Sequence, residues 1–574
     1  LNTKARAARI IVGVLFAGAL STAGAAGGAG AAGGAGAAPA PLMTVLIKPG
    51  HMTRSPDRVD IEVHLTIPDV HIAAGAGLLK LGTMVPGMSK PQPVSDMAVS
   101  DGDGAAPLAA HGEAGNSEWT TTRALKGSLE VRYHLPLENA ALIRGGPPIQ
   151  LRIDGDGFSG VGNMLVALPN IQSPYRIEIK WDLAAMGPGA SGVSSYGDGD
   201  VTLPAGPISR IGSTLFMAGH LQRWPEKPAG AFSAVWLGAP PFDPRPAMQW
   251  TAKLHTAMSV FFEDKTEPPY RVFLRYNPMN AGGGAALTHS FLVTYGTGVT
   301  GESLKSILGH EMTHTWTAND DLGQWYNEGN AVYYQALLAW RADLISDEQF
   351  LADLNQTAGR YYTNALRATP EDQVLPHFWE DTRIRVLPYD RGAMYFAVLN
   401  GKIRKKSEGR RSIDDLIRVM IVRARSGEKL SDQTWVDLIG QELGEDGLAV
   451  HRSMMAGGLM LPESDGFGPC FRRTVKKIRQ FDLGFDNASL LGEVKTIKGL
   501  KPGSEAEKAG LRNGDVVSYG VALDAVQAEV ERTLTLHVTR DGKTFPLTYL
   551  PRGQAVDAYQ WERAAGVPET RCKS

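Results

Sequence analysis

The first regular pattern along the chain is alternation. In "RVDIEVHLTIP" the apolar residues Val59, Ile61, Val63, Leu65 and Ile67 fall at every second position, as on a strand with one face on a core. "LEVRYHLP", "PIQLRIDG", "NMLVALP" and "YRIEIKWDL" follow, divided by clusters of Gly, Pro, Asp and Ser. Short strands separated by turn residues predict a β-sandwich or a similar sheet domain over residues 42–212. Beyond residue 215 or so the period changes. "PAMQWTAKLHTAMSVFFED" has helical spacing, "YRVFLRYN" reads as a strand, and "MNAGGGAALTHSFLVTYG" is a glycine turn leading into another strand. Helical segments then dominate, among them "SIDDLIRVMIVRARSG" and "SDQTWVDLIGQELG", the second opened by a capping Ser431. Short strands return near the end, as in "TLTLHVTRDGKTFPLTYL". The whole predicts a multidomain α+β protein: a β-sandwich-like domain over 42–212, a mostly helical domain over 213–465 and a small β domain over 470–574. A chain of 574 residues is too long for a single core, which agrees.

The ends and the charge narrow the classes. Lys4, Arg6 and Arg9 precede the apolar run "IIVGVLFAGAL" at residues 10–20, and small residues follow. This predicts an export signal over residues 1–25, and a periplasmic or secreted address with no membrane span in the mature form. The alternative is a short buried core segment. Residues 26–41 are an Ala/Gly-rich linker with nothing to bury. Lys plus Arg (58) nearly balances Asp plus Glu (60), so no broad polyanion-binding surface is expected and nucleic acid is not a partner. The two cysteines, Cys470 and Cys572, bracket the last domain. In an oxidising compartment they fit a disulfide clasp; two buried thiols are the alternative.

The stretch with the most chemistry is "SLKSILGHEMTHTWTAND". Leu304, Ile307, Leu308 and Trp316 supply an apolar stripe, so the segment reads as a helix. On a helix His310 and His314 lie one turn apart and project from the same face. That spacing suits two ligands of one tetrahedral zinc, with Glu311 beside the open position. A catalytic zinc usually takes a third protein ligand. Glu328, in "LGQWYNEGNAVYYQALLAW", sits on a second predicted helix that a turn around Asn319, Asp320 and Asp321 would fold back against the first. Its neighbours Trp325, Tyr326, Val332 and Tyr333 make an apolar setting in which an unpaired carboxylate is costly, a cost that ligation removes. Read alone, Glu328 also fits the exposed face of an amphipathic helix.

HExxH followed by this glutamate resembles the gluzincin zinc metallopeptidases, and "HEMTHTW" with "WYNEG" looks most like the glycyl aminopeptidase family. The resemblance implies an exported enzyme with an N-terminal β domain, a thermolysin-like catalytic domain and a C-terminal PDZ domain. It implies one zinc ion per chain on His310, His314 and Glu328, with Glu311 moving a proton from the attacking water to the leaving amine. "LPYDRGAMYF" is similar to a segment whose tyrosine, here Tyr389, would hydrogen-bond the oxyanion; without the resemblance Tyr389 reads as a half-buried core residue. The implied substrates are peptides with small N-terminal residues, Gly or Ala. One feature departs from the family. Its glycine loop before the zinc helix carries a glutamate for the substrate's amine. Here "AGGGAALTHSFLVTYG" has Gly282, Gly283, Gly284 and His289 as candidate substrate-binding positions, but no acid between Glu267 and Glu302. Asp320 or Asp321 is a possible replacement, and an endopeptidase or a hydrolase of blocked peptides is the alternative activity.

"FDLGFD" and "KPGSEAEKAGLRNGDVV" resemble the carboxylate-binding loop and a later segment of a PDZ domain. The backbone N–H groups of Leu483, Gly484 and Phe485 would then receive a peptide C-terminus. The alternatives are a docking module and, for the whole chain, a non-catalytic periplasmic binding protein with structural zinc.

Overall fold

The computed structural model describes residues 39–567 and Cys572, apart from 55–56, 114, 140, 143–145, 228–231, 266–268, 278, 280 and 493. The export signal and nearly all of the Ala/Gly linker expected from the sequence lie outside the described residues.

Val59, Ile61, Val63, Leu65 and Ile67 occupy the buried face of one long strand, Asp57–Ile72. It pairs antiparallel with Leu42–Pro49 on one side and Leu125–Glu138 on the other, in the middle of an eight-stranded sheet. A four-stranded and a five-stranded sheet complete this region around one apolar core. "NMLVALP" departs from the expected strand: Gly162–Leu165 make one helical turn and only Leu168–Pro169 are extended. Met164, Leu165, Val166 and Ala167 are all fully buried. A run buried on every side carries no alternation by which to tell strand from helix.

The N-terminal core does not end at the next sheet. That sheet has five strands in the spatial order Gln222–Trp224, Phe232–Trp236, Tyr270–Tyr276, Ser290–Tyr295 and Gly284–Leu287. Val235, Leu237, Phe273 and Leu292 point into the N-terminal core, while Ala234, Trp236, Val272, Leu274, Phe291 and Val293 point into the helical one. Burial on both faces is why "YRVFLRY" is nearly continuous in apolar character. Gly284–Leu287 lies at the edge, antiparallel to Ser290–Tyr295, and the helix Lys305–Thr317 packs against it.

That helix lies against Gln324–Arg341, which in turn lies against Leu387–Lys406. Ser412 and Ser431 cap later helices with full capping boxes. The C-terminal region has a core of its own, with Leu483, Phe485, Ile497, Leu536 and Val538, and a three-stranded sheet of Val516–Ser518, Leu534–Arg540 and Lys543–Tyr549. A ribbon of Phe471–Phe481 paired with Arg552–Arg563 joins it to the helices. Phe471 and Trp561 at the ribbon's far end are buried in the helical core, and the Asn355 side chain both donates to the Trp561 carbonyl (2.8 Å) and accepts from its N–H (2.7 Å). A Cys470–Cys572 disulfide closes the region, so the two-thiol alternative falls. Among the described residues no helix is long and apolar enough to cross a membrane.

Candidate active site

His310 and His314 project from successive turns of Lys305–Thr317, and Glu328 comes from the start of Gln324–Arg341. The link between these helices is held by Asn327. Its carboxamide accepts from Asn319 N–H (2.9 Å) and donates to the carbonyls of Asn319 (3.0 Å) and Leu322 (3.2 Å). The residue beside Glu328 therefore sets the turn that delivers it. The helices also approach closely at Gly309, where an added Cβ would lie 2.3 Å from the Gln335 carbonyl oxygen.

Together these contacts bring three ligand atoms to one point. Nε2 of His310 and Nε2 of His314 are 3.3 Å apart, and Oε2 of Glu328 is 3.2 Å from the first and 3.4 Å from the second. Two imidazole lone pairs and a carboxylate oxygen repel one another unless a cation sits among them. A tetrahedral zinc with bonds near 2.05 Å has ligand–ligand edges of about 3.3 Å, so the donor set fits that ion in type and spacing. Among the described residues it is the one cluster of His, Cys, Asp or Glu that offers three such atoms.

His310 is aimed by a chain of polar groups. Its Nδ1 pairs with Oε1 of Gln335 (3.2 Å), the Gln335 amide donates to both oxygens of Asp353 (3.0 Å each), and Ser306 donates to Asp353 (2.6 Å). Such partners fix which ring nitrogen faces a metal. Nδ1 of His314 is buried without a partner, so that ring's polar engagement is all through Nε2. The Tyr389 ring stacks on His310 at 5.9 Å and 18°.

Glu311 lies under the edge strand. An added Cβ on Gly284 would come within 2.5 Å of its Cγ and Oε1, and the Ala286 N–H donates to its carboxylate. Only glycine permits that approach. Burial pushes the Glu311 carboxyl up to about 8. Burial acts on Glu328 in the same direction, but the His314 and His310 rings outweigh it and hold its carboxyl below the usual range. Burial, then the charges of Glu328, Glu311 and Asp524, raise the Tyr389 hydroxyl well above its ordinary value, so it keeps its proton and donates.

The other expected positions are placed less centrally. Gly282 and Gly283 are tied to Thr294, through its carbonyl (2.9 Å) and its hydroxyl (3.1 Å). His289 occupies the hairpin tip with φ +45°, where its carbonyl accepts from the Arg271 N–H (3.2 Å). Leu483 and Phe485 are core side chains, and Gly484 donates its N–H to Oδ1 of Asp482 (2.9 Å). After Phe485 the chain enters a 3-10 turn, Asn487–Leu490, where a strand-forming peptide would need an edge. A separate cavity of about 370 Å³ lies on the N-terminal sheets beside Lys90, Gln92 and Gln150 and touches none of these groups. Asn327, Gln335 and Asp353 are additions from the structure; on the sequence they are ordinary polar residues of helices.

The architecture has a counterpart among solved structures. An aminopeptidase N family protein from Idiomarina loihiensis is similar over 91% of this chain and 98% of that one, with a TM-score of 0.66 at 15% identity. At that identity it is the fold that the two share. An M1 zinc metallopeptidase from Deinococcus radiodurans, a mutant bound to a Tyr-Ser-Ala substrate, aligns over 74% of this chain and 95% of that one, with a TM-score of 0.47 at 16% identity. No family model and no curated protein sequence matches the chain.

Proposed function

We propose that this protein is a zinc-dependent metallopeptidase of the gluzincin kind, acting as an aminopeptidase on peptides with small N-terminal residues. The observation that carries the reading is the triangle of His310, His314 and Glu328 ligand atoms, with edges of 3.2, 3.3 and 3.4 Å, beside the buried carboxyl of Glu311. A structural site has no use for that carboxyl. In this reading residues 213–465 are a thermolysin-like catalytic domain, 42–212 its N-terminal β domain and 470–574 a PDZ-like module. Residues 1–25 direct export to the periplasm or beyond. The preference for Gly or Ala rests on the sequence resemblance.

Zinc bound there supplies Lewis acidity and lowers the pKa of a water to about 7. The protein's own groups do the rest. The edge strand Gly284–Leu287 is paired with a strand on one side only, and apart from the Ala286 N–H, which Glu311 takes, its outer groups would be available to the main chain of an extended peptide. Glu311, adjacent to that strand, would be ionised beside the bound cation, whose charge opposes the burial that raises its carboxyl, and would accept a proton from the attacking water and hand it to the leaving nitrogen. Tyr389, protonated and stacked on His310, donates to the oxyanion that forms on the scissile carbonyl. The chain's lack of any acid between Glu267 and Glu302 favours a second reading, an endopeptidase or a hydrolase of blocked peptides.

A paired assay separates the two. A glycyl or alanyl chromogenic amide and its N-acetylated twin are each incubated with and without chelator, and bound metal is measured. Chelator-sensitive cleavage of the free-amine compound alone supports the aminopeptidase. Equal or faster cleavage of the blocked compound supports the alternative, and absence of bound zinc would overturn both.

A further inference from the structure

Tyr389 is followed by three residues that each tie its helix to a different element. Asp390 is fully buried and accepts from two nitrogens of the Arg360 guanidinium, Nε at 2.8 Å and Nη2 at 2.6 Å. Arg391, also buried, donates to the Thr369 carbonyl and to the Glu371 carboxylate. Gly392 lies against Gly329, the residue after Glu328. An added Cβ on Gly392 would stand 2.6 Å from the Trp325 carbonyl oxygen and 2.7 Å from the Gly329 Cα. This contact sets how closely the Tyr389 helix meets the Glu328 helix. Apolar packing is non-directional, so it leaves rotation about that point open. A two-pronged guanidinium–carboxylate pair is directional and closes that freedom.

The other half of the pair leads back to the metal ligands. Arg360 lies on Asp347–Tyr362, two turns beyond Asp353 and on the same face. Asp353 holds the Gln335 amide (3.0 Å to each oxygen), and Gln335 holds Nδ1 of His310 (3.2 Å). One helix therefore aims His310 through a carboxylate and the Tyr389 helix through a guanidinium. The two arms converge where the Tyr389 ring stacks on His310. Stability alone does not call for these charges. A buried ion pair loses its hydration and adds little over apolar side chains of similar volume. What apolar side chains do not reproduce is its direction.

We propose that the Arg360–Asp390 pair is a positioning device for Tyr389, setting the rotation of that helix so that the hydroxyl meets the oxyanion on the scissile carbonyl. This rests on the peptidase reading and deepens it. Both residues act through Tyr389 rather than on the substrate.

The test is a double-mutant cycle on the full chain. Arg360→Met with Asp390→Leu replaces the ion pair by apolar side chains, and is combined with Tyr389→Phe. Cleavage is followed on the glycyl chromogenic amide or its N-acetylated twin, whichever the wild type cleaves. Calorimetry gives the Kd of a phosphinic analogue of glycylglycine, and bound zinc is measured. The apolar pair should lower kcat about ten-fold or more and weaken the tetrahedral phosphinate by a similar factor, with KM and zinc content unchanged. In the Tyr389→Phe background the same replacement should change neither kcat nor Kd, because no hydroxyl remains to be placed. Arg360→Lys is the second variant should the apolar pair not fold. It keeps the counter-charge but not the fork, and should lower kcat about three-fold or more, again only when the Tyr389 hydroxyl is present. Equal losses with and without that hydroxyl would mark the pair as general scaffolding and overturn the proposal. So would full activity of the apolar pair, or zinc lost along with activity. If the wild type shows no chelator-sensitive cleavage, the peptidase reading falls; if Tyr389→Phe cleaves at the wild-type rate, only the role of Tyr389 falls. Either result takes the positioning proposal with it.

Discussion

The ligand atoms come from two helices, so their spacing depends on how closely those helices lie, and Gly309 sets that distance. In Gly309→Ala the new methyl would stand 2.3 Å from the Gln335 carbonyl oxygen, 3.1 Å from its carbon and 3.3 Å from its Cα. Normal contact is about 3.5 Å, so the helices must part by about 1 Å. The obstacle is backbone inside a buried helix and cannot swing aside. Overpacking of this kind costs about 1–3 kcal/mol, against a gain of about 0.5–1 kcal/mol for replacing a helical glycine by alanine. The net expectation is a loss of about 1–2 kcal/mol, a drop in Tm of a few degrees for a protein of this size. Because Gln335 also holds His310 Nδ1, zinc affinity should fall about ten-fold or more. Gly401→Ala is the control: it lies in the helix Leu387–Lys406 with nothing within 4 Å of an added Cβ, and should be neutral or stabilising. Thermal unfolding and zinc competition with a chromogenic chelator read both effects. If Gly309→Ala unfolds like Gly401→Ala and holds zinc normally, the helix contact does not set the ligand spacing.

Three further outcomes follow from the same geometry. Glu311→Gln should cut turnover by about 10²–10⁴ while zinc content stays at the wild-type level, because the side chain is not a ligand; a variant that loses its metal would contradict the assigned role. Gln335→Leu strips His310 Nδ1 and Asp353 of a partner and should weaken zinc about 10–100-fold in the same competition assay. His255 is wedged between Tyr270 and Trp316, and burial pushes its imidazole down to about 4 from 6.5. As the pH falls from 6.5 toward 4 the unfolded chain takes up a proton that the folded one refuses, so stability is lost across that window, up to about 2 kcal/mol by pH 5. His255→Phe should flatten that part of the stability profile, and an unchanged profile would show that His255 titrates normally.

What was legible in the chain and what was not divides along physical lines. His310 and His314 were legible because a helix turns an i, i+4 spacing into a shared face. The long alternating strands were legible for the same reason at period two. Ser431 announces its helix because a capping hydroxyl acts on a residue three positions away. Asn327, Gln335 and Asp353 were not legible: a polar residue on a helix looks the same whether it meets water or a buried histidine. The role of Gly309 was not legible either, since close approach depends on the partner helix. The ribbon strand Phe471–Phe481 was missed because its charged residues show no clean alternation, and its partner lies 92 residues away at the Phe471–Arg563 pair. The Arg385–Asp524 contact was invisible for the same reason, because it spans 139 residues.

The same contacts bear on how the parts depend on one another. The boundary expected near residue 212 separates composition, not cores: Val235, Leu237, Phe273 and Leu292, on the sheet between the two cores, are buried in the N-terminal one. A fragment starting at residue 213 would expose all four, at about 1.5–3 kcal/mol each for fully buried side chains of this size, and would loosen the sheet whose edge strand covers Glu311. At the other end, removing the chain beyond residue 465 would take Phe471 and Trp561 out of the helical core. The centre made by two helices is therefore positioned from behind by the N-terminal core, and the helical core that carries it is completed by Phe471 and Trp561 of the C-terminal ribbon. The catalytic helices alone should not be expected to reproduce the ligand spacing or the reach of Gly284 over Glu311.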